Sequence, residues 1–266
     1  MLMKRHGMSL MRLERIFLSH LHGDHVFGIF GLLSTLSMSG RTEPLHIYAP
    51  EGFEAILSFF KEHFLERDTY PVEYHELTAS GPETVLDDAQ LTVSVLPLHH
   101  RIPAYGFLFR ERMPRLNVRK EAVAELNLSV SEILELKEGH DVAREDGTLL
   151  SVAELTYRPY KPRSFAYVSD TAVFDGLSDM VRGVDLLYHE ATFGDDCADK
   201  AAQMFHSTAK DAAETALRAG AGRLVIGHFS SRYKDADVLL HQAREVFPDT
   251  EAGMEGAVFD IPEKNC

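Results

Sequence analysis

The 266-residue sequence predicts an α/β protein whose short strands deliver polar side chains to their carboxyl ends. Three observations carry this. Apolar runs of strand length recur along the chain and stop at a His or Asp. Amphipathic or alanine-rich stretches with helix start and stop signals lie between some of them. Finally, several of the 14 histidines fall at metal-ligand spacing.

Taken in order, residues 15–19 (Arg-Ile-Phe-Leu-Ser) read as a short buried strand running into His20. Residues 26–38 are apolar and helix-permissive and stop at Gly40, a strand–loop–helix arrangement. Residues 45–49 form a strand ended by Pro50, and residues 53–64 carry Phe53, Ile56, Leu57, Phe60 and Phe64 as a helical stripe. Residues 91–96 alternate as a strand and lead to His99 and His100, with 105–109 as a neighbour. Residues 164–169 lead to Asp170, 184–188 to His189 and Glu190, and 223–227 to His228. Residues 208–219 form an alanine-rich helix, with Thr208 and Asp211 placed as a capping box and Gly220 at its stop.

Composition narrows the function classes. A net charge of −14 argues against indiscriminate nucleic-acid binding, although it leaves room for a local basic patch. The start of the chain has no apolar signal-peptide core, and no stretch reaches the ~18 apolar residues that a membrane span requires. Cys197 and Cys266 share no motif, so a disulfide framework is not expected and a reducing cytoplasm is the expected compartment.

The strongest signal is Ser19-His20-Leu21-His22-Gly23-Asp24-His25. Three imidazoles and a carboxylate directly after a strand can turn alternate side chains to one metal and the next pair to another. Imidazole nitrogen and carboxylate oxygen both suit zinc. A lone His at a strand end is more often structural, but four such residues at this spacing point to metal. His100, Asp170 and His228 each follow a separate strand, and ligands in open α/β sheets bind beyond those carboxyl ends. Joined to the His20–His25 run, they converge on one predicted pocket.

The ordered set resembles the metallo-β-lactamase superfamily and, within it, the ribonuclease Z family. The His-x-His-x-Asp-His run is shared with glyoxalases, lactonases and β-lactamases and names no substrate. More specific are His189-Glu190-Ala191-Thr192, His206-Ser207-Thr208 and the segment from Gly227 to Tyr233, together with Pro97-Leu98-His99-His100 and Pro103-Ala104-Tyr105-Gly106-Phe107. The resemblance implies a single domain over residues 1–266, a four-layer αββα sandwich of two mixed sheets with an inserted arm at about 117–160. It also implies two zinc ions per chain: His20, His22 and His100 hold one, Asp24, His25 and His228 the other, and Asp170 bridges. Asp24 would accept a proton from the attacking water. His206, oriented by Glu190, would protonate a departing ribose 3′-oxygen. The implied activity is removal of the 3′ trailer from precursor tRNA by a homodimer. The remaining His6, His46, His63, His75, His140 and His241 lie outside every motif and read as structural.

Two features depart from that family. Its members begin with additional strands and an Asp-Cys-Gly-Glu-Gly-Thr-Gln stretch, and Met1 stands just after that place, which predicts weaker support for the metal site. Residues 111–163 are charge-rich with little strand signal, and read either as an arm or as an ordinary helix-plus-hairpin elaboration. They lack the Gly-Pro turn found in the family's tRNA-gripping arm. Arg110, Arg112, Arg115, Arg119 and Lys120 cluster at one root of this segment, and Arg158, Lys161 and Arg163 at the other. They are candidate phosphate contacts or solvated charges balanced by Glu121, Glu125, Glu132 and Glu135. Alternative activities are a small-molecule phosphodiesterase or lactonase on the same metals, or a catalytically impaired RNA-binding remnant.

Overall fold

Parallel pairing dominates the larger of two compact units in the computed structural model, which describes residues 2–65 and 69–264. That unit comprises Met1–Asp88, Thr92–Phe109 and Ser164–Phe259. Its first sheet has the order β1 (Arg15–Phe17), β2 (Leu45–Pro50), β3 (Val72–Leu77). Both pairings are parallel, so this sheet is not mixed as expected. The reason is connectivity: parallel neighbours need crossovers, and helices α1 (Gly23–Met38) and α2 (Phe53–Phe64) supply segments long enough. Leu45, Ile47 and Ala49 alternate onto one face and pack with Val26, Ile29, Leu33 and Leu36 of α1 and with Phe53, Leu57 and Phe60 of α2.

The second sheet is mixed. Its order is β10 (Thr250–Ala252), β9 (Leu224–Gly227), β8 (Leu186–Glu190), β7 (Ser164–Val168), β6 (Ala104–Glu111), β5 (Leu91–Leu98), β4 (Glu83–Asp87). Strands β7 to β10 pair in parallel, whereas β4 and β5 are antiparallel. Helices α3 (Ala198–Met204), α4 (Ala209–Ala219) and α5 (Asp237–Val246) follow β8 and β9 in the chain. The capping box at Thr208 and Asp211 is formed, and Gly220 ends α4 with φ 64°. Ala209, Ala212, Ala213, Ala216 and Ala219 make an all-small face that packs with Leu187 and Ile226 of the sheet.

Between the sheets lies an aromatic layer. Phe17 stacks on Tyr48 at 4.7 Å and meets Phe107 at 5.3 Å and Phe109 at 5.6 Å across the gap. Helices therefore cover the outer faces of two facing sheets, giving the αββα order that the sequence led one to expect. Strands β3, β4 and β10 and helices α3 and α5 had no sequence expectation. Two boundaries moved in ways that bear on the site: α1 begins at Gly23, so Asp24 and His25 are helical, and β8 runs on through His189 and Glu190.

The second unit comprises Ala89–Leu91, Arg110–Arg163 and Asp260–Cys266. It holds helices at Lys120–Glu125 and Val130–Glu138, a hairpin of Val142–Ala143 with Leu149–Leu150, and a ladder of Asn117–Val118 with Thr156–Tyr157. Leu128, Leu136 and Leu150 are its buried centre. No described helix is long and apolar enough to cross a membrane.

Candidate metal centre

Each side chain of the predicted pocket is delivered by an element end. His20 follows β1 by three residues, His22 is the N-cap of α1, and Asp24 and His25 lie in its first turn. His100 follows β5, Asp170 follows β7 and His228 follows β9. Gly227 precedes that last histidine because a Cβ there would run into the Tyr188 ring. Ligand atoms of His20, His22, His100 and Asp170 lie within 4.8 Å of one another, as do those of Asp24, His25 and His228. Asp170 is shared: its Oδ2 is 3.6 Å from His20 Nε2 and 3.5 Å from His25 Nε2, and its Oδ1 is 3.5 Å from His228 Nε2. All seven predicted ligands thus meet in one place.

The donor set fits metal. His20 Nε2 is fully buried and has no hydrogen-bond partner, a costly state that a cation at the centre would relieve. Burial, reinforced by the neighbouring His25, His22 and His100, pushes the His20 pKa down to about 3. Burial also lowers His25 and His100. These imidazoles are therefore neutral, the form that ligates. Outer hydrogen bonds choose their tautomers: His100 Nδ1 donates to the Phe205 carbonyl at 2.9 Å, and His228 Nδ1 donates to Thr192 Oγ1 at 2.8 Å. Both arrangements leave the Nε2 lone pair facing inward. His22 Nδ1 and His100 Nε2 are 3.3 Å apart, as are His25 Nε2 and His228 Nε2. Two ligands about 2.0–2.1 Å from a tetrahedral ion stand about 3.3–3.4 Å apart.

Beside this cluster, Glu190 is fully buried, with five donors on its two oxygens: the backbone N–H groups of Thr171, Thr192 and Ser207, the Thr192 hydroxyl, and His206 Nδ1 at 2.9 Å. Burial acts to lower His206, but the Glu190 hydrogen bond and charge outweigh it and the net pKa is raised. The His206 ring stacks on His228 at 5.5 Å, so Glu190, His206 and the imidazole cluster form one continuous site.

Two participants escaped sequence reasoning. Thr192 links Glu190 to His228, and its only signal was its place in the His-Glu-Ala-Thr run. Phe205 presents its carbonyl to His100 from a left-handed conformation, φ 58°, at the end of α3. A phenylalanine gives no warning of such a turn. His99 stays out of the cluster, its ring 5.5 Å from Phe205 and 6.3 Å from Phe174.

Comparison with known proteins agrees with the geometry. Residues 3–119 and 123–229 match the Beta-lactamase superfamily domain. A protein of Porphyromonas gingivalis W83 named Ribonuclease Z is 45% identical over 250 residues, covering 94% of this chain and 82% of the relative. One of the same name from Bacteroides fragilis YCH46 is 40% identical over 261 residues, covering 98% and 86%. The crystal structure of human tRNase Z, short form, superposes with a TM-score of 0.67 at 25% identity, covering 98% of this chain and 83% of that one. The chain belongs to the ribonuclease Z family of the β-lactamase superfamily.

Proposed function

We propose that the chain is a zinc-dependent endoribonuclease that removes the 3′ trailer from precursor tRNA, leaving a 3′-hydroxyl on the tRNA and a 5′-phosphate on the trailer. The carrying observation is the Glu190–His206 pair beside a cluster with two sets of ligand atoms. A pure metal-binding site has no use for a buried carboxylate that raises an adjacent histidine; a poor alkoxide leaving group does. In this reading His20, His22 and His100 would hold one zinc and Asp24, His25 and His228 the second, with Asp170 shared between them. Zinc supplies, when bound, activation of water near pH ~7 and a clamp on a phosphate oxygen.

The chain's own residues divide the proton work. The Asp24 side chain is 72% exposed against 4% for Asp170, so Asp24 is the carboxylate open to incoming water and accepts its proton. His206, with Nδ1–H committed to Glu190, delivers a proton from Nε2 to the departing ribose 3′-oxygen. Thr192 holds His206 and His228 in register with the same carboxylate. The arm at about 117–160 grips tRNA, the working form is a homodimer, and the compartment is the cytoplasm. Several root arginines make internal contacts: Arg158 donates to the Pro114 carbonyl and Arg163 pairs with Glu111. Phosphate contact then falls chiefly to Arg115, Lys120 and Lys161, all exposed.

The test is cleavage of a precursor tRNA by protein purified without chelator, with end-group analysis and elemental analysis. The expected outcome is trailer release with a 3′-hydroxyl on the tRNA, close to two zinc ions per chain, and loss of activity on chelation. Turnover of small esters with none on precursor tRNA would overturn the substrate, and near-zero metal in a folded, active protein would overturn the chemistry.

A further inference from the structure

We propose that His46, Glu73 and His75 form an additional metal site, separate from the cluster around Asp170, that takes one first-row divalent cation with imidazole preference, such as Zn2+. The three share no residue with the site described above, and their ligand atoms lie within 4.8 Å of one another. Sequence reasoning set both histidines aside as structural because they lie outside every motif; they are 29 residues apart in the chain.

The β2–β3 ladder brings them together. Its register sets His46 opposite Glu73 and Tyr48 opposite His75. With the two-residue period of a strand, all four side chains share the face that carries the Phe17–Tyr48 stack, opposite to Leu45, Ile47 and Ala49. The Tyr48 ring lies over His75 at 4.4 Å, nearly parallel at 13°, and holds the imidazole plane in place. The positions are therefore set by backbone hydrogen bonding and stacking rather than by loops.

His46 Nδ1 is the informative atom. It stands 3.1 Å from His75 Nε2 and 3.2 Å from Glu73 Oε2. One proton on that nitrogen serves one of the two acceptors well. With no proton there, its lone pair faces a carboxylate. A cation shared by all three satisfies every lone pair at once, and the spacings are close to the ~3.3 Å edge of a tetrahedral coordination shell. The 3.3 Å His–His separations in the cluster around Asp170 have the same meaning. The His46 and Glu73 side chains are 31% and 50% exposed, so an ion has a way in and water can take the fourth position. A bound ion would tie β2 to β3, the edge strand of its sheet.

The experiment compares zinc content in the full-length chain and in the His46→Asn/His75→Asn variant, each saturated with Zn2+ and desalted before elemental analysis. The expected result is one zinc per chain fewer in the variant, with precursor-tRNA cleavage within twofold of the parent and a larger zinc-dependent rise in melting temperature in the parent than in the variant. Because the readout is a difference, it stands whatever number of ions the other cluster holds, and whether or not the chain cuts tRNA. Equal zinc in the parent and a folded variant overturns the proposal. If the double variant does not fold, the single Glu73→Gln change, at a half-exposed side chain, decides. Titration with Zn2+ should then show the additional ion bound roughly tenfold or more weakly, and unchanged affinity overturns the site.

Discussion

The metal pocket and the arm are built on opposite plans. The pocket takes its side chains from positions as far apart as His20 and His228, each placed by a strand end or the first turn of a helix. Its side chains are polar, range from the buried His20 and Asp170 to the exposed Asp24, and are oriented in part by Thr192 and the Phe205 carbonyl. Nothing in it coheres by itself: imidazoles and one shared carboxylate hold position because two sheets are packed around them. The arm is nearly one continuous stretch with its own apolar centre of Leu128, Leu136 and Leu150. It has a complete capping box at Ser129 and Glu132, and Glu132 also pairs with Arg144 at 2.6 Å. A site that borrows its rigidity and an element that supplies its own should fail independently, and that contrast can be tested.

The largest effect is expected at Asp24. Asp24→Ala removes a ligand and the proposed proton acceptor together, so precursor cleavage should fall below detection while arm helicity is unchanged. Circular dichroism and a cleavage assay check both halves; residual activity near that of the parent would remove Asp24 from the chemistry. Next comes His206→Ala, expected to slow cleavage ~10²–10⁴-fold with metal content intact. If that variant loses metal, His206 is a ligand, an arrangement its closeness to Asp170 and His228 makes geometrically available.

Deleting residues 117–160 tests the other side. Precursor-tRNA cleavage should drop by about 10²-fold or more, whereas hydrolysis of a small chromogenic phosphodiester stays nearly constant, since every pocket residue lies outside the deletion. Added salt should weaken tRNA cleavage by the intact protein and matter little for the small ester. Equal loss on both substrates would mean the pocket depends on the arm and would break the comparison.

The smallest effect belongs to Glu132. The Arg144 side chain and the Ser129 backbone hold its carboxyl down at about 2, against an ordinary 4.5. A depressed acid stabilises the folded arm fully above the unfolded value. That contribution declines as pH falls from about 4.5 toward about 2. Hydrogen exchange in the helix Val130–Glu138 should show this decline in the parent, and Glu132→Gln should lack it, with metal content unaffected.

Much was written locally, and for a plain reason. The His20–His25 run, the capping box of α4 and the apolar runs ahead of His100, Asp170 and His228 depend on residues near one another in the chain, so spacing alone revealed them. The α/β alternation followed from the same patterns, and so did the position of the charge-rich insertion. What only the tertiary structure decided depends on register and packing between distant segments. The parallel β2–β3 ladder, which sets His46 beside Glu73 and His75, was invisible because Glu73 and Glu76 blur the apolar pattern of β3. The left-handed Phe205 that orients His100, and the Thr192 hydroxyl that selects the tautomer of His228, act across gaps of 105 and 36 residues. A side chain's type is a local property, but which lone pair it turns toward a metal is set by its partner across the fold, and that partner is chosen by how the sheets and helices pack.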